Sequence, residues 1–81
     1  MEKLLEEFKI NETGKVKKII ASGNIKRRLY DMGVTPGAII KVKKFATLGD
    51  PIEVNIRGYE LSLRKAEAAC VVMEVEEWDL L

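Results

Sequence analysis

The sequence has no histidine, and its one cysteine has no second thiol with which to form an internal disulfide. Without histidine, a Ser–His or Cys–His nucleophile pair is excluded, and so are the commonest zinc ligands. A single cysteine favours a reducing compartment. There is no apolar run long enough for a signal peptide or for the roughly 20 residues of a membrane span. These absences predict a cytoplasmic protein.

Strong charge and phosphate-binding motifs are also lacking. The formal net charge is +1, which gives no overall attraction for nucleic acid or anionic lipid. Gly49 and Gly58 are isolated turn glycines, so the glycine-rich loop of a nucleotide-binding enzyme is missing. With no catalytic constellation in the sequence, we expect a protein that is not an enzyme.

The size of the chain limits it to one small domain. It has 81 residues, of which 47% are hydrophobic, so we expect a globular fold rather than disorder. We predict a single domain over 1–81, with a core at about 4–75 and an acidic tail at 76–81.

The strongest pattern is the alternation of apolar and polar residues between 38 and 64. It predicts three strands, at about 40–43, 52–56 and 59–63, each with one buried face. Only Arg57-Gly58 can turn the chain between the last two, with Gly58 supplying a positive φ. Tyr59, like Leu61 and Leu63, falls on the predicted inward side.

The flanking segments complete the predicted sheet. We expect a first strand at 15–21 with a bulge, because Val16 and Ile19 are out of phase for a regular pleat. The last strand is predicted at 70–75. Met1 to Lys9 indicates a turn or two of amphipathic helix, and 64–69 a second helical turn.

A short helix is predicted between the first and second strands. Asn24 is a good N-cap, and Ile25, Leu29 and Met32 recur at helical spacing as a buried stripe. Gly33 then fits the left-handed position that ends a helix. Together these elements predict a mainly β fold: a small SH3-like, five-stranded antiparallel barrel with short helical turns near the N-terminus and before the last strand.

Other candidate groups have ordinary explanations. Cys70 lies in a predicted strand, where packing is the default for a lone thiol. The acidic tail could bind a divalent cation only loosely, because no fixed loop holds its carboxylates. Nucleic-acid binding is not expected and stays open only as the weakest alternative, because few exposed aromatics accompany the lysines of the predicted strands: Lys15, Lys17, Lys41, Lys43 and Lys44.

Several short motifs occur in an informative order. Between about residues 4 and 75 the sequence resembles the FeoA family, the small cytosolic partners of FeoB ferrous iron transporters. The resemblance rests on Arg27-Arg28-Leu29, Met32-Gly33, Thr35-Pro36-Gly37, Leu48-Gly49-Asp50-Pro51-Ile52, Gly58-Tyr59 and Leu63-Arg64.

The resemblance implies an SH3-like barrel with a non-enzymatic role in ferrous iron uptake. It also implies association with the transporter's cytosolic GTP-binding part, so that the membrane is reached only through the transporter. No cofactor is required. A similar domain forms the C-terminal module of iron-dependent repressors, so direct binding of ferrous or another transition metal ion stays open as the alternative function.

Physical reasoning supplies a candidate partner surface. Leu48 is apolar at a turn tip, where exposure gains it nothing, so it is a candidate anchor. Arg27 and Arg28, near the wet side of the helix, are candidate partners for carboxylates. With Asp50 of the same turn as Leu48, they form the predicted partner-binding set. Exposed edge strands would also permit self-association.

Overall fold

In the computed structural model, residues 1–75 are described. They form one antiparallel sheet of six strands in the order β1-β6-β2-β3-β4-β5, so the mainly β class is confirmed. The elements in chain order are β1 (Glu2–Leu4), a 3₁₀ turn (Leu5–Glu7), β2 (Thr13–Ile19), α1 (Gly23–Asp31), β3 (Ile39–Phe45), a 3₁₀ turn (Thr47–Gly49), β4 (Ile52–Ile56), β5 (Tyr59–Leu63), α2 (Lys65–Ala68) and β6 (Val71–Glu74).

The central meander forms as its alternation predicts. The inward residues of β4 are all buried, and β4 and β5 meet in a two-residue turn. Arg57 and Gly58 have φ values of 52° and 85°, which is the left-handed pair of a type I′ hairpin turn. The core comprises Leu5, Phe8, Val16, Leu29, Val34, Ala38, Ile40, Val42, Ile52, Val54, Ile56, Leu63, Ala68, Val71, Met73 and Val75.

The predicted bulge in the first long strand is also confirmed. The register of β2 against β6 shifts between Val16 and Lys18. One extra residue changes the phase of the pleat, so Val16 is buried and Ile19 still packs against the same core.

The N-terminus differs from the helix predicted for Met1 to Lys9. Residues 2–4 form the edge strand β1 on β6, and only the 3₁₀ turn that follows is helical. Leu5 and Phe8 are buried in the structure, as a docked helical turn also predicts, so their burial does not separate the two geometries. The extended form also satisfies the backbone groups of β6. The sheet therefore has six strands rather than five, and within residues 1–75 its ladder is open between β1 and β5.

The carboxylate of Glu12 holds this N-terminal segment through two contacts. Lys3 Nζ lies 2.7 Å from the half-buried Glu12 carboxylate, which also accepts the Lys9 N–H at 2.9 Å. Burial acts to raise the pKa of Glu12, but the hydrogen bonds from Lys3 and Lys9 and the charges of both lysines outweigh it. The pKa of the Glu12 carboxyl therefore lies below its ordinary value.

The helix and one strand position need correction. The N-cap position of α1 is Ser22 rather than the predicted Asn24, although the Ser22 side chain makes no capping hydrogen bond. Ile25 was predicted in the buried stripe but is 44% exposed. Leu29, in the C-terminal half of α1, is the one residue of this helix that is fully buried. The short helix packs against the core with only part of its length. Tyr59 was predicted for the core but is 74% exposed, since β5 is an edge strand and its first residue extends past the covering elements.

At Gly14 the backbone lies close against the Phe8 ring and strand β6. A Cβ at this position would lie 2.8 Å from Cζ of Phe8 and 3.0 Å from the carbonyl oxygen of Glu74. The distance to the Phe8 ring is shorter than real contacts allow, and the distance to the Glu74 carbonyl is tighter than most, so a side chain there requires the ring to move and the β6 backbone to shift slightly. In the part of the chain that the structure describes, no helix is long and apolar enough to cross a bilayer.

Candidate functional site

Leu48 is the one apolar residue of the predicted partner-binding set, and it is almost fully exposed. It occupies the 3₁₀ turn between β3 and β4 with φ 66° and ψ 16°, and its side chain is 94% exposed. The left-handed conformation costs an L-residue such as leucine about 1–2 kcal/mol. Both its conformation and its exposure are therefore unfavourable for the isolated fold. Such an outlier in an exposed loop is typical of a residue kept for contact with another molecule.

Asp50 holds this loop to the rest of the domain. Its Oδ1 accepts the backbone N–H of Lys65 at 3.0 Å, at the start of α2. Within the loop, Gly49 N–H donates to the carbonyl of Ala46 at 2.8 Å. Leu48 is thus presented by a turn that is fixed at its base.

Helix α2 is also tied to α1 through a buried carboxylate. The Glu67 side chain is only 7% exposed, and its Oε2 lies 2.7 Å from Nε of Arg28. Its Oε1 accepts the N–H of Arg64 at 2.8 Å, which caps the first turn of α2. Every buried charge needs such partners. The structure therefore gives Arg28 an internal partner, while its side chain remains 59% exposed.

The role of Glu67 was missed in the sequence. The Glu67 side chain reaches back to the Arg64 N–H, which is one half of a capping box, but Arg64 has no side-chain acceptor to complete the other half. The sequence therefore carries no complete capping signal at this position, and the pairing of Glu67 with Arg28 depends on the tertiary fold.

Arg27 is placed differently from its neighbour. It is exposed on α1 and makes no ion pair with another residue of 1–75. The predicted residues therefore divide between the β3–β4 loop (Leu48, Asp50) and α1 (Arg27, Arg28). Helix α2 links the two segments, through Lys65 on one side and Glu67 on the other. We use the name loop–helix surface for these four predicted residues, which lie on two segments of the fold.

A metal site is not built by the described residues. Within 1–75 no group of three or more His, Cys, Asp or Glu side chains is close enough to hold an ion. The thiol of Cys70 is half-buried and lies 3.4 Å from the carbonyl oxygen of Ala66. This donor set does not fit a fixed transition-metal centre, and the acidic tail lies outside the described residues.

The six-stranded antiparallel sheet of residues 1–75 and its small helices define a small β domain of the SH3-like class. A family model described as the FeoA domain matches residues 3–75, and the chain belongs to the FeoA family. The SH3-like class predicted from the sequence is confirmed by the description of one similar structure, that of FeoA from Stenotrophomonas maltophilia.

Three similar proteins give this membership its context. A fusion of Fe(2+) transport protein A with the Fe(2+) transporter FeoB, from Porphyromonas gingivalis, is 30% identical over 71 residues, which are 88% of this chain and 8% of that protein. The chain therefore spans a small part of that relative. The FeoA-like protein of Clostridium acetobutylicum has a TM-score of 0.85 and 39% identity, covering 91% of this chain and 86% of the other.

The third is the S. maltophilia FeoA structure, with a TM-score of 0.77, 25% identity and 89% coverage of both chains. It contains zinc, and that protein is described as a candidate activating factor for bacterial ferrous iron transport.

Proposed function

We propose that this chain is a non-enzymatic accessory or regulatory protein of ferrous iron transport that binds the cytosolic part of a FeoB-type transporter. The observation that carries the proposal is the P. gingivalis relative, in which a domain similar to this chain and the transporter are one polypeptide. Fusion keeps two partners at a high effective concentration, which is useful when they work in contact. The chain would act in the cytoplasm and reach the membrane only through the transporter.

The loop–helix surface is the proposed contact. Leu48 would supply the apolar anchor. Burying its exposed side chain against a partner would contribute about 1.5–3 kcal/mol to the free energy of binding. The Asp50–Lys65 hydrogen bond fixes the base of the loop, so less conformational freedom is lost on binding. Arg27 would pair with a carboxylate of the partner at the rim. Arg28 would contribute through guanidinium donors other than the Nε that contacts Glu67.

A pull-down with the cytosolic domain of the transporter tests the proposal. Leu48→Asp should abolish capture and Arg27→Glu should reduce it. The matched controls are Ile10→Asp, which changes another exposed aliphatic residue, and Lys26→Glu, which makes the same charge change one residue earlier on α1. Both controls should be captured like the wild type. Failure to capture the wild type with any nucleotide or ferrous iron condition would reject the proposal.

Direct metal binding is the second candidate function, and the zinc in the S. maltophilia relative favours it. It requires ligands beyond those that residues 1–75 bring together. Anaerobic calorimetry with ferrous ion separates the candidates, because a metal sensor must show saturable binding with a defined stoichiometry. Heat of dilution alone would dismiss this second function.

A further inference from the structure

The outer edge of β5 has no strand partner within the described residues. Strand β4 is its only neighbour there. Because a two-residue turn joins them, Ile56 and Tyr59 form a hydrogen-bonded pair, and so do the pairs two residues further along. The intervening residues, Glu60 and Ser62, therefore point their N–H and C=O groups away from β4. None of these groups has a backbone partner in residues 1–75.

The same edge carries apolar side chains. Tyr59 is 74% exposed and Leu61 is half-buried. Both border a surface groove of about 320 Å³ whose other apolar walls are Met32 and Ile56. Native sheets normally protect such an edge with proline, a bulge or several charges, because it is a template for adding a strand. β5 has neither proline nor a bulge, and Glu60 is its one charged residue.

We propose that β5 is a dimerisation edge, at which two copies of this chain pair antiparallel about a two-fold axis through Leu61. In this register Glu60 of each copy faces Ser62 of the second copy. The two pairs that this creates, one on each side of the axis, each form two N–H···O=C hydrogen bonds. Every outward N–H and C=O group of Glu60 and Ser62 in both copies then has a partner.

The other symmetric registers are less favourable. An axis at Glu60 would place two carboxylates directly opposite each other, which is destabilising. An axis at Ser62 would place Glu60 opposite Arg64 of the second copy. The N–H of Arg64 already donates to Glu67, and its carbonyl accepts N–H groups of α2, so that pair cannot form. Only the Leu61 axis uses the whole free edge.

The side chains complement each other in the same register. On the apolar face Leu61 meets Leu61 of the second copy, while Leu63, which stands opposite Tyr59 in this register, is already buried in its own domain. No like charges oppose each other within the strand pair. A second copy fits better than an unrelated peptide, because this one sequence supplies both halves of the match. The interface is one short strand wide, so we expect a weak dimer that depends on protein concentration. β5 contains none of the residues of the loop–helix surface, so the inference is independent of the proposed function.

Cysteine cross-linking of the full chain tests both the dimer and its register. In a Cys70→Ser background, Leu61→Cys would place two thiols in a non-hydrogen-bonded pair with Cα atoms about 4.5 Å apart, within the range of a disulfide. Leu48→Cys in the same background is the control, because that more exposed residue reports random collision. Under mild oxidation at high protein concentration, covalent dimer should form at least about tenfold faster for Leu61→Cys. Ser62→Cys and Glu60→Cys should resemble the control.

A second variant separates strand pairing from other association. Ser62→Pro removes only an outward N–H, so the β4–β5 ladder and the circular dichroism spectrum should be retained. Combined with Leu61→Cys, it should slow the cross-link to the control rate. In the unmodified chain, amide exchange of Glu60 and Ser62 should slow as the concentration rises. The proposal is overturned if Leu61→Cys stays monomeric, as it would if the edge served an extended segment of another protein. It is also overturned if Leu48→Cys cross-links as fast, or if Ser62→Cys or Glu60→Cys cross-links faster.

Discussion

Replacing Leu48 by asparagine should stabilise the isolated fold while it weakens partner binding. The left-handed conformation costs a leucine about 1–2 kcal/mol, whereas asparagine tolerates it. Full burial of a leucine is worth about 1.5–3 kcal/mol, but a side chain that is 94% exposed retains very little of this. The strain relieved therefore exceeds the burial lost. We expect Leu48→Asn to raise the free energy of unfolding by about 1 kcal/mol and the Tm by roughly 4–8 °C.

Urea denaturation and binding to the transporter's cytosolic domain should be measured on the same Leu48→Asn preparation. Thr47→Asn is the control, because it makes a similar polar change in the same turn at a position without positive φ. It should change stability by less than about 0.5 kcal/mol and leave binding intact. A lower free energy of unfolding for Leu48→Asn would refute the reasoning, since it would mean that the leucine packs against its own domain. Unchanged binding would remove Leu48 from the contact.

Three further predictions concern the support of the fold. Gly14→Ala should lower the free energy of unfolding by about 1–3 kcal/mol, measured in urea, because its methyl group would overlap a buried phenylalanine ring; an unchanged midpoint would contradict this packing. Arg28→Met should cost about 1–3 kcal/mol by leaving the Glu67 carboxylate buried without its cation, whereas Arg27→Met should cost under about 0.5 kcal/mol; equal losses would contradict the pairing. Glu12→Gln should cost about 1 kcal/mol at pH 7. Because the pKa of the Glu12 carboxyl lies below its ordinary value, the stability it contributes is lost as the pH falls through that pKa, so the difference between the wild type and the variant should shrink toward acid pH; a difference in the free energy of unfolding that stays constant from pH 7 to the most acidic pH at which the fold persists would contradict the charge pairing.

The sheet was largely predictable because its signals are local. The two-residue turn at Arg57-Gly58 and the alternation in β4 are both contained in about ten residues, and both appear in the structure. The bulge in β2 was predictable because Val16 and Ile19 break the phase of the pleat. The strand at residues 2–4 was not predictable, because three residues carry too little periodicity to separate a strand from a helical turn. These residues are extended because they pair with β6.

The candidate surface was less predictable. The exposure of Leu48 follows from an apolar residue at a turn tip, and the structure adds the left-handed φ. The commitment of Arg28 to Glu67 could not be anticipated, because the two residues meet only when α1 and α2 pack near each other. Tyr59 was misassigned because alternation identifies the side of a strand but not whether another element covers that side.

The most direct test of the proposed function is a calorimetric titration of this chain into the isolated cytosolic domain of its transporter. We predict saturable binding with a defined stoichiometry, weakened at least about tenfold by Leu48→Asp, which corresponds to about 1.4 kcal/mol, and unchanged by Ile10→Asp. Absence of binding heat with and without guanine nucleotide and ferrous iron, confirmed by a second method, would contradict the account.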